Sequence, residues 1–553
     1  MRLLWFSDAM INAVELANVR IFDGRGWKFD LAPLTVFCGT NSAGKSTVLK
    51  TILLLRQSLG IREASGARPG RLRFVGSQAD FGNFQSFTSH NDLSRDVAIG
   101  LTVEGRVSPG FLALVPTFRS KIEHLLTGDS GDELFPYALK CDFTLGVPST
   151  EEQQTLFDEQ VAPEPQGARR SSGREAFLKA ANYEIRFQGE VVLEWKVRLR
   201  SYDRDRREPE YDLTMPRSYF VSIPWADLIR DPSDGVGDEV VLRVNLLGPI
   251  PDRIIAHLKP TQSLNGKSEQ MGIFPLPPHI EEALSDLRRA LVAVHYLGPL
   301  RSPAKRFYLT QLEEFPALDS AGEFLPYVIR DRAHRKVLNI PPGSDAAPGE
   351  ERFADALNGW VHFLRTGQWV SMETLAADEL NVKSTKEVLH EFKVRAVGGG
   401  ESYPLMDSGF GYSQVLPIIV RGLLAKPGNT LIVEQPELHL NPALQVRLAS
   451  FFAAMIRIGK QVILETHSEH LVNAIRVLAA EDDSAKLAQA CKIIFIEAET
   501  GPIPTIKDLA VQADGTVPEW PRNFFGEATS LVGRLLRSQK RFRTSPAELD
   551  TKG

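Results

Sequence analysis

Cysteine is scarce in this chain: Cys38, Cys141 and Cys491 are the three in 553 residues, and no two stand in a C-x-x-C pair. That excludes a disulfide framework and a cysteine-built metal centre, and it fits a reducing, cytoplasmic setting. Long apolar runs are missing too. The opening MRLLWFSDAMINAVEL has too few consecutive apolar residues for a secretion signal, and the best spanning candidate, VLPIIVRGLLA from Val415, is interrupted by Arg421. The expectation is a soluble intracellular protein with no membrane partner. Positive charge is not in excess: 64 Lys and Arg against 69 Asp and Glu leave −5 at pH 7, so any contact with nucleic acid must come from a local patch. Sustained heptads and repeats of about 20 to 50 residues are also absent, which excludes a coiled-coil arm and a solenoid.

What remains is ordinary globular material, 43% hydrophobic and 24% charged, in a chain long enough for three or four units at roughly 150 residues each. Residues 12–37 alternate apolar and polar side chains and then run LAPLTVF, the pattern of an edge hairpin feeding a buried strand. From Ser46 the run STVLKTILLLRQSL has helical spacing. Between about 95 and 275, short alternating runs such as EIRFQGEVVLEWKVRLR and EVVLRVNLL predict a β-rich region. Residues 159–174 and 341–352 have loop composition. Helices are predicted over 280–295 and 353–366, whereas 386–397 fits helix or strand. From 413 to 500 helices alternate with the strands TLIVEQ, QVILET and KIIFIEA, which indicates a parallel α/β sheet.

Four stretches carry chemistry. Gly39-Thr40-Asn41-Ser42-Ala43-Gly44-Lys45-Ser46, followed by Thr47, matches G-x-x-x-x-G-K-[ST] between a strand and a helix. Glycines let backbone N–H groups turn inward around anionic oxygens, and the helix N-terminus adds its dipole; Lys45 would reach the β- and γ-phosphates and Ser46 a bound magnesium. Thr430 to Glu437 is an apolar strand ending in acids. If that strand neighbours the phosphate loop, Glu434 would hold the magnesium. Gln461 to Ser468 is a second buried strand ending in His467, which either senses the γ-phosphate and orients the attacking water or is structural. Asp407 to Gln414, DSGFGYSQ, opens an apolar helix. It is either a simple turn or a second anion-binding helix start, one that closes over a partner's nucleotide.

In this order the motifs resemble those of ATP-binding-cassette (ABC) ATPases, within the soluble branch of SMC, RecF and OLD proteins. GTNSAGKST is similar to that branch's Walker A, DSGFGYSQVLP to its divergent signature, LIVEQPELHLNP to Walker B plus D-loop, and ETHSEHLVNAI to its switch-histidine segment. YLGPLRSPAKRFY from Tyr296 and DGTVPEWPRNFFGEA from Asp514 resemble bacterial ATPases with a C-terminal domain of unknown function. The resemblance implies an ATP- and Mg2+-dependent ATPase, an α/β ABC head with a mixed sheet, interrupted by a large β-rich and helical insertion. It also implies a head-to-tail homodimer, each ATP lying between one Walker A and the partner's signature around Gly411, Ser413 and Gln414. A glutamine that bridges magnesium and water is implied as well: Gln78 is preferred over Gln85. Gln435 stands where the family has its catalytic glutamate and cannot accept a proton. Hydrolysis would then be slow, with Glu437 or His467 taking part of the work, or absent in an ATP-locked clamp. Asn441 stands where relatives often carry histidine.

About 370 residues separate Gly39 from Ser408, too many for a transporter cassette, and the stretch after His467 is too short for a TOPRIM nuclease. The expected units are residues 1–95 (head, N-terminal lobe), 96–275 (β-rich insertion), 276–400 (mixed linker lobe), 401–500 (head, C-terminal lobe) and 501–553 (extension). By analogy with Septu-type systems, the ATPase would gate a partner nuclease in anti-phage defence; a DNA-repair clamp is the alternative, and a transporter subunit a more distant one. Arg198, Arg200, Arg204, Arg206 and Arg207, interleaved with acids, and Arg534, Arg537, Lys540, Arg541 and Arg543 are local basic clusters, each either a solvated face or a nucleic-acid patch, the first more readily a solvated face.

Overall fold

The computed structural model describes residues 10–24, 26–58, 69–107, 135–147, 176–203, 208–230, 236–259, 271–305, 307–311, 320–366, 368–374, 387–396, 401–408, 410–498, 503–521 and 533–539. The loop expected over 159–174 lies outside the described residues, as do Arg204, Arg206, Arg207, Lys540, Arg541 and Arg543.

Strands β1 (Ile11–Ala17) and β2 (Trp27–Asp30) form the expected hairpin, with Leu16 opposite Trp27. Strand β3 (Leu34–Gly39) is buried throughout and runs into the phosphate loop that opens helix α1 (Lys45–Ser58). Then come eight further strands: β4 (Val97–Val107), β5 (Phe135–Gly146), β6 (Phe177–Phe187), β7 (Glu190–Asp203), β8 (Glu208–Pro216), β9 (Glu239–Leu247), β10 (Ile250–His257) and β11 (Met271–Pro275). Each is antiparallel to its neighbour, and β4 pairs with β1, giving the order β11-β10-β9-β8-β7-β6-β5-β4-β1-β2. The sheet therefore runs unbroken through the boundary expected at residue 95. Alternation along its strands buries one face. Tyr183 stacks on Trp195 there at 5.1 Å between ring centroids. Helix α2 (Pro278–Val292) packs on β4 and α1, pinned by the Tyr137 hydroxyl, which donates to Asp286 at 2.7 Å.

Strand β12 (Val294–Leu297) follows, and then two small sheets. One is β13 (Phe307–Gln311), β16 (Gln368–Thr374), β17 (Glu387–Ala396) and β18 (Tyr403–Pro404); the other is the hairpin of β14 (Lys336–Asn339) and β15 (Gly349–Arg352). Within 386–397 the described residues, Glu387–Ala396, are thus strand. The end of the expected loop 341–352 becomes strand because it pairs with β14, where Asn339 donates to Glu351 at 2.8 Å. Helix α3 (Phe353–Val361) stops short of 366, its last residues forming a π turn.

From α4 (Phe410–Leu424) the chain alternates β19 (Thr430–Glu434), α5 (Pro442–Arg457), β20 (Gln461–Glu465), α6 (Glu469–Glu481) and β21 (Cys491–Glu497), then adds β22 (Thr505–Ala510). The core sheet runs β12-β19-β20-β3-β21-β22, parallel except for β22. Its two edges come from stretches expected to be a linker and an extension. The period of two sends Phe37, Ile432, Ile463 and Ile494 to the side of α1, α2 and the antiparallel sheet, and Val36, Val433 and Leu464 to the side of α3, α4 and α5. The parallel sheet is thus the middle of three layers. Among the described residues no helix is long and apolar enough to cross a membrane.

Replacing Tyr137 by Phe strips a donor from the nearly inaccessible Asp286 carboxylate. The expected loss is about 1–3 kcal/mol of unfolding free energy, read as a lower urea midpoint at unchanged slope.

Candidate nucleotide site

The phosphate loop is shaped by positions where only a missing or tolerant side chain fits. Gly39 has φ 131°, and a Cβ there would lie 1.9 Å from the Ile496 carbonyl oxygen, so β21 backs directly onto the loop. Gly44 has φ 97°, with Ile21 and Phe22 within 2.7 Å of its absent Cβ; Ser42 is left-handed at φ 61°. Thr40 ties the loop to β21, its N–H donating to Ile496 and its hydroxyl accepting from the Ala498 N–H. Asn41 and Ser42 are exposed and Ala43 and Thr47 buried. Lys45 is buried under the loop, its Nζ donating to the carbonyls of Gly39 (3.2 Å) and Thr40 (2.6 Å). Burial lowers its proton affinity, against which the Glu465 carboxylate acts. A glycine-bearing loop with a lysine beneath it, at the start of a helix, fits a polyphosphate.

The sheet order corrects one expectation. Strand β20 lies between the phosphate-loop strand β3 and the Glu434 strand β19, so the carboxylate beside the loop is Glu465. The Ser46 hydroxyl lies 2.9 Å and 2.7 Å from its two oxygens. Glu434 stands next to Glu465 in parallel register, and both are nearly fully buried. Burial first, then the Glu465 charge, raises the Glu434 carboxyl to about 7 against Lys50, the Tyr296 hydroxyl and Arg301. Glu465 is raised too, chiefly by burial. Two crowded carboxylates with a hydroxyl between strand and helix suit a divalent cation. Among the described residues no three His, Cys, Asp or Glu gather into a group that could hold a metal ion by themselves.

The turn after β19 is stitched to the segment after β20. Gln435 is left-handed at φ 44°, its N–H donating to the Glu465 carbonyl at 2.7 Å. The Glu437 carboxylate accepts from the Thr466 hydroxyl (2.8 Å) and the His467 N–H (2.7 Å), and burial raises its proton affinity. His467 is half-buried; burial and then the charge of Lys45 hold its imidazole towards the neutral form. Ser468 caps α6, accepting from the Leu471 N–H, while its own hydroxyl donates to Gln445 at 2.6 Å.

Residues 350–472 match the family model described as AAA ATPase domain. Over that stretch the chain is similar to an AAA ATPase domain. The matched stretch carries Gly411, Glu434 and His467, with the phosphate loop N-terminal to it. Among solved structures, similarity extends to an SMC head bound to the C-winged helix domain of ScpA (10% identity, 91% of this chain and 98% of that one, TM-score 0.35). It also extends to the SMC head domain from Thermotoga maritima (10%, 90% and 98%, 0.31). A third is an Smc head with an extended coiled coil bound to the C-terminal domain of ScpA derived from Pyrococcus furiosus (10%, 96% and 100%, 0.33). No curated protein sequence matches.

The fold gathers the phosphate loop, Glu434, Gln435, Glu437, Glu465 and His467 at one end of the parallel strands. Gly411, Ser413 and Gln414 stand elsewhere, at the start of α4, which packs on β12 and β19. Ser413 and Gln414 are buried, and a Cβ on Gly411 would lie 3.4 Å from the His439 carbonyl oxygen. Gln78 is half-buried with its Oε1 sequestered and lacking a partner, whereas Gln85 is exposed, its amide 3.5 Å from the Asn91 carbonyl. Asn441 caps α5 by accepting from the Leu444 N–H at 3.0 Å, a task histidine would not do in the same way. Sequence reasoning passed over Glu465, although it ends an apolar strand as Glu434 does. It also passed over Arg301, whose buried guanidinium donates to the Glu434 carbonyl at 2.9 Å.

Because the folded-state value for Glu434 lies above the ordinary 4.5, the folded protein takes up a proton there that the unfolded chain does not. The stabilisation from this group is complete below 4.5 and lost as pH rises through about 7. Without nucleotide and Mg2+, the wild type is expected to melt at a lower temperature at pH 8 than at pH 6, and Glu434→Gln to flatten that difference.

Proposed function

We propose that the chain is a cytoplasmic ATP-binding and ATP-hydrolysing head that pairs head to tail with a second copy and serves as the switch subunit of a DNA-associated system. The observation that carries this is the convergence of Ser46, Glu465 and Glu434 beneath the Lys45 loop. In this reading the loop amides and Lys45 hold the phosphates, and Ser46, Glu434 and Glu465 hold the metal. Bound Mg2+ would offset phosphate charge. His467, its imidazole held towards the neutral form, would sense the terminal phosphate, and Gln78, with its idle Oε1, would orient water. The start of α4, with Gly411, Ser413 and Gln414, serves the partner's nucleotide. A partner nuclease and a role in anti-phage defence rest on analogy alone, and DNA contact is assigned to the exposed Arg534 and Arg537.

A second reading, a clamp with little turnover, has its own support. Gln435 has no carboxylate, and both oxygens of Glu437 are already engaged by Thr466 and His467. Glu437 then braces the turn and takes no proton from water.

Equilibrium ATP binding, phosphate release and light scattering on wild type, Lys45→Ala and Gln435→Glu decide between them. Lys45→Ala should weaken ATP at least about tenfold, and Gln435→Glu should raise turnover by roughly 10²-fold by restoring a proton acceptor. Mg2+ and ATP should double the mass of the wild type. Wild type that binds no ATP ends the nucleotide reading; turnover already fast, and unmoved by Gln435→Glu, ends the clamp reading.

A further inference from the structure

Arg301 stands in the turn after β12, in the Gly298–Ser302 loop. Only 4% of its surface is exposed. One guanidinium nitrogen, Nη2, donates to the Glu434 carbonyl, while Nε and Nη1 are sequestered from solvent without a hydrogen-bond partner. A buried guanidinium with idle donors is costly. Glu437 is the carboxylate whose charge acts most strongly on it. Yet Glu437 spends both oxygens on Thr466 and His467, across the turn. The loop bearing Arg301 is itself anchored: Gly298 and Ser302 donate to the Ser320 and Ala321 carbonyls, and the absent Cβ of neighbouring Gly322 would meet Pro417 of α4 at 2.9 Å.

We propose that Glu437 is a two-position latch. In the arrangement described it holds the Thr466–His467 segment; in the other it moves onto the idle Nε and Nη1 of Arg301 and releases that segment towards a bound terminal phosphate. Arg301 is a positioning residue here: it touches no reacting atom. The exchange is balanced, because Glu437 trades two neutral donors for two charged ones and the phosphate takes over the segment that Glu437 releases. It also gives the α4 side of the domain a mechanical connection to the state of the nucleotide, through the loop packed near Pro417. The inference rests on the nucleotide reading above.

The test is amide hydrogen exchange over residues 466–468 with and without Mg2+ and ATP, alongside ATP affinity, in wild type, Arg301→Met and Glu437→Gln. Wild type is expected to bind ATP and to change its exchange rate there at least about fivefold. Arg301→Met should keep ATP affinity within about threefold while losing most of that change, since the second seat is gone. Glu437→Gln, which keeps an acceptor but no charge to attract the guanidinium, should behave alike, and it carries the test if Arg301→Met does not fold. The double variant should be no worse than either single one. ATP binding with a wild-type exchange response in either single variant overturns the latch and leaves the nucleotide reading standing; no ATP binding by the wild type overturns both.

Discussion

Parallel pairing of β19 with β20 sets Glu434 beside Glu465, and everything around the site answers to that adjacency. Neighbouring strands lie about 4.8 Å apart, so two carboxylates at matched positions cannot both ionise comfortably in a buried place. The surroundings supply partial compensation at each corner. Ser46 faces one acid, Tyr296 and Arg301 attend the other, and Lys45 and Lys50 contribute charge from α1. None of these neutralises the pair completely, and a proton on Glu434, whose carboxyl is raised to about 7, relieves the rest.

The same crowding explains why the turn at 435–441 is so tightly determined. Its first residue is held in a left-handed conformation that costs a non-glycine residue roughly 1–3 kcal/mol. The strain persists because the backbone of Gln435 is tied to the Glu465 carbonyl and Glu437 to the following segment. Pro442 and the Asn441 cap start α5 at once, so the turn has no slack at its far end either. A glutamine at its head keeps the shape and gives up the basicity.

Much of this was legible beforehand where a residue type and its context admit one reading. The glycines and lysine of the phosphate loop, sited between strand and helix, leave little else to be, and the alternation of helix and strand after residue 413 predicts a parallel sheet. What escaped depends on which strand lies next to which. Sequence order places the Glu434 strand before the His467 strand, yet pairing inserts the later one beside the loop, and that promotes Glu465 from bystander to nearest acid. Arg301 escaped because an arginine in a proline-bearing loop looks solvated until the turn folds over it. The β-rich stretch looked like an insertion because the strands that join it to the N-terminal hairpin, β1 and β4, lie more than 80 residues apart in sequence.

The continuity of that sheet has a mechanical meaning. Ten strands at about 4.8 Å spacing reach roughly 43 Å from β2 to β11. The sheet is continuous in hydrogen bonds from end to end, and α2 pins it to α1, the helix that starts at the phosphate loop. A tilt of about 5° at β4, where α2 pins the sheet, would carry β11, seven spacings away, through about 3 Å. The long sheet is therefore less a domain beside the site than a continuation of its framework, tied through α2 to the helix that starts at the phosphate loop.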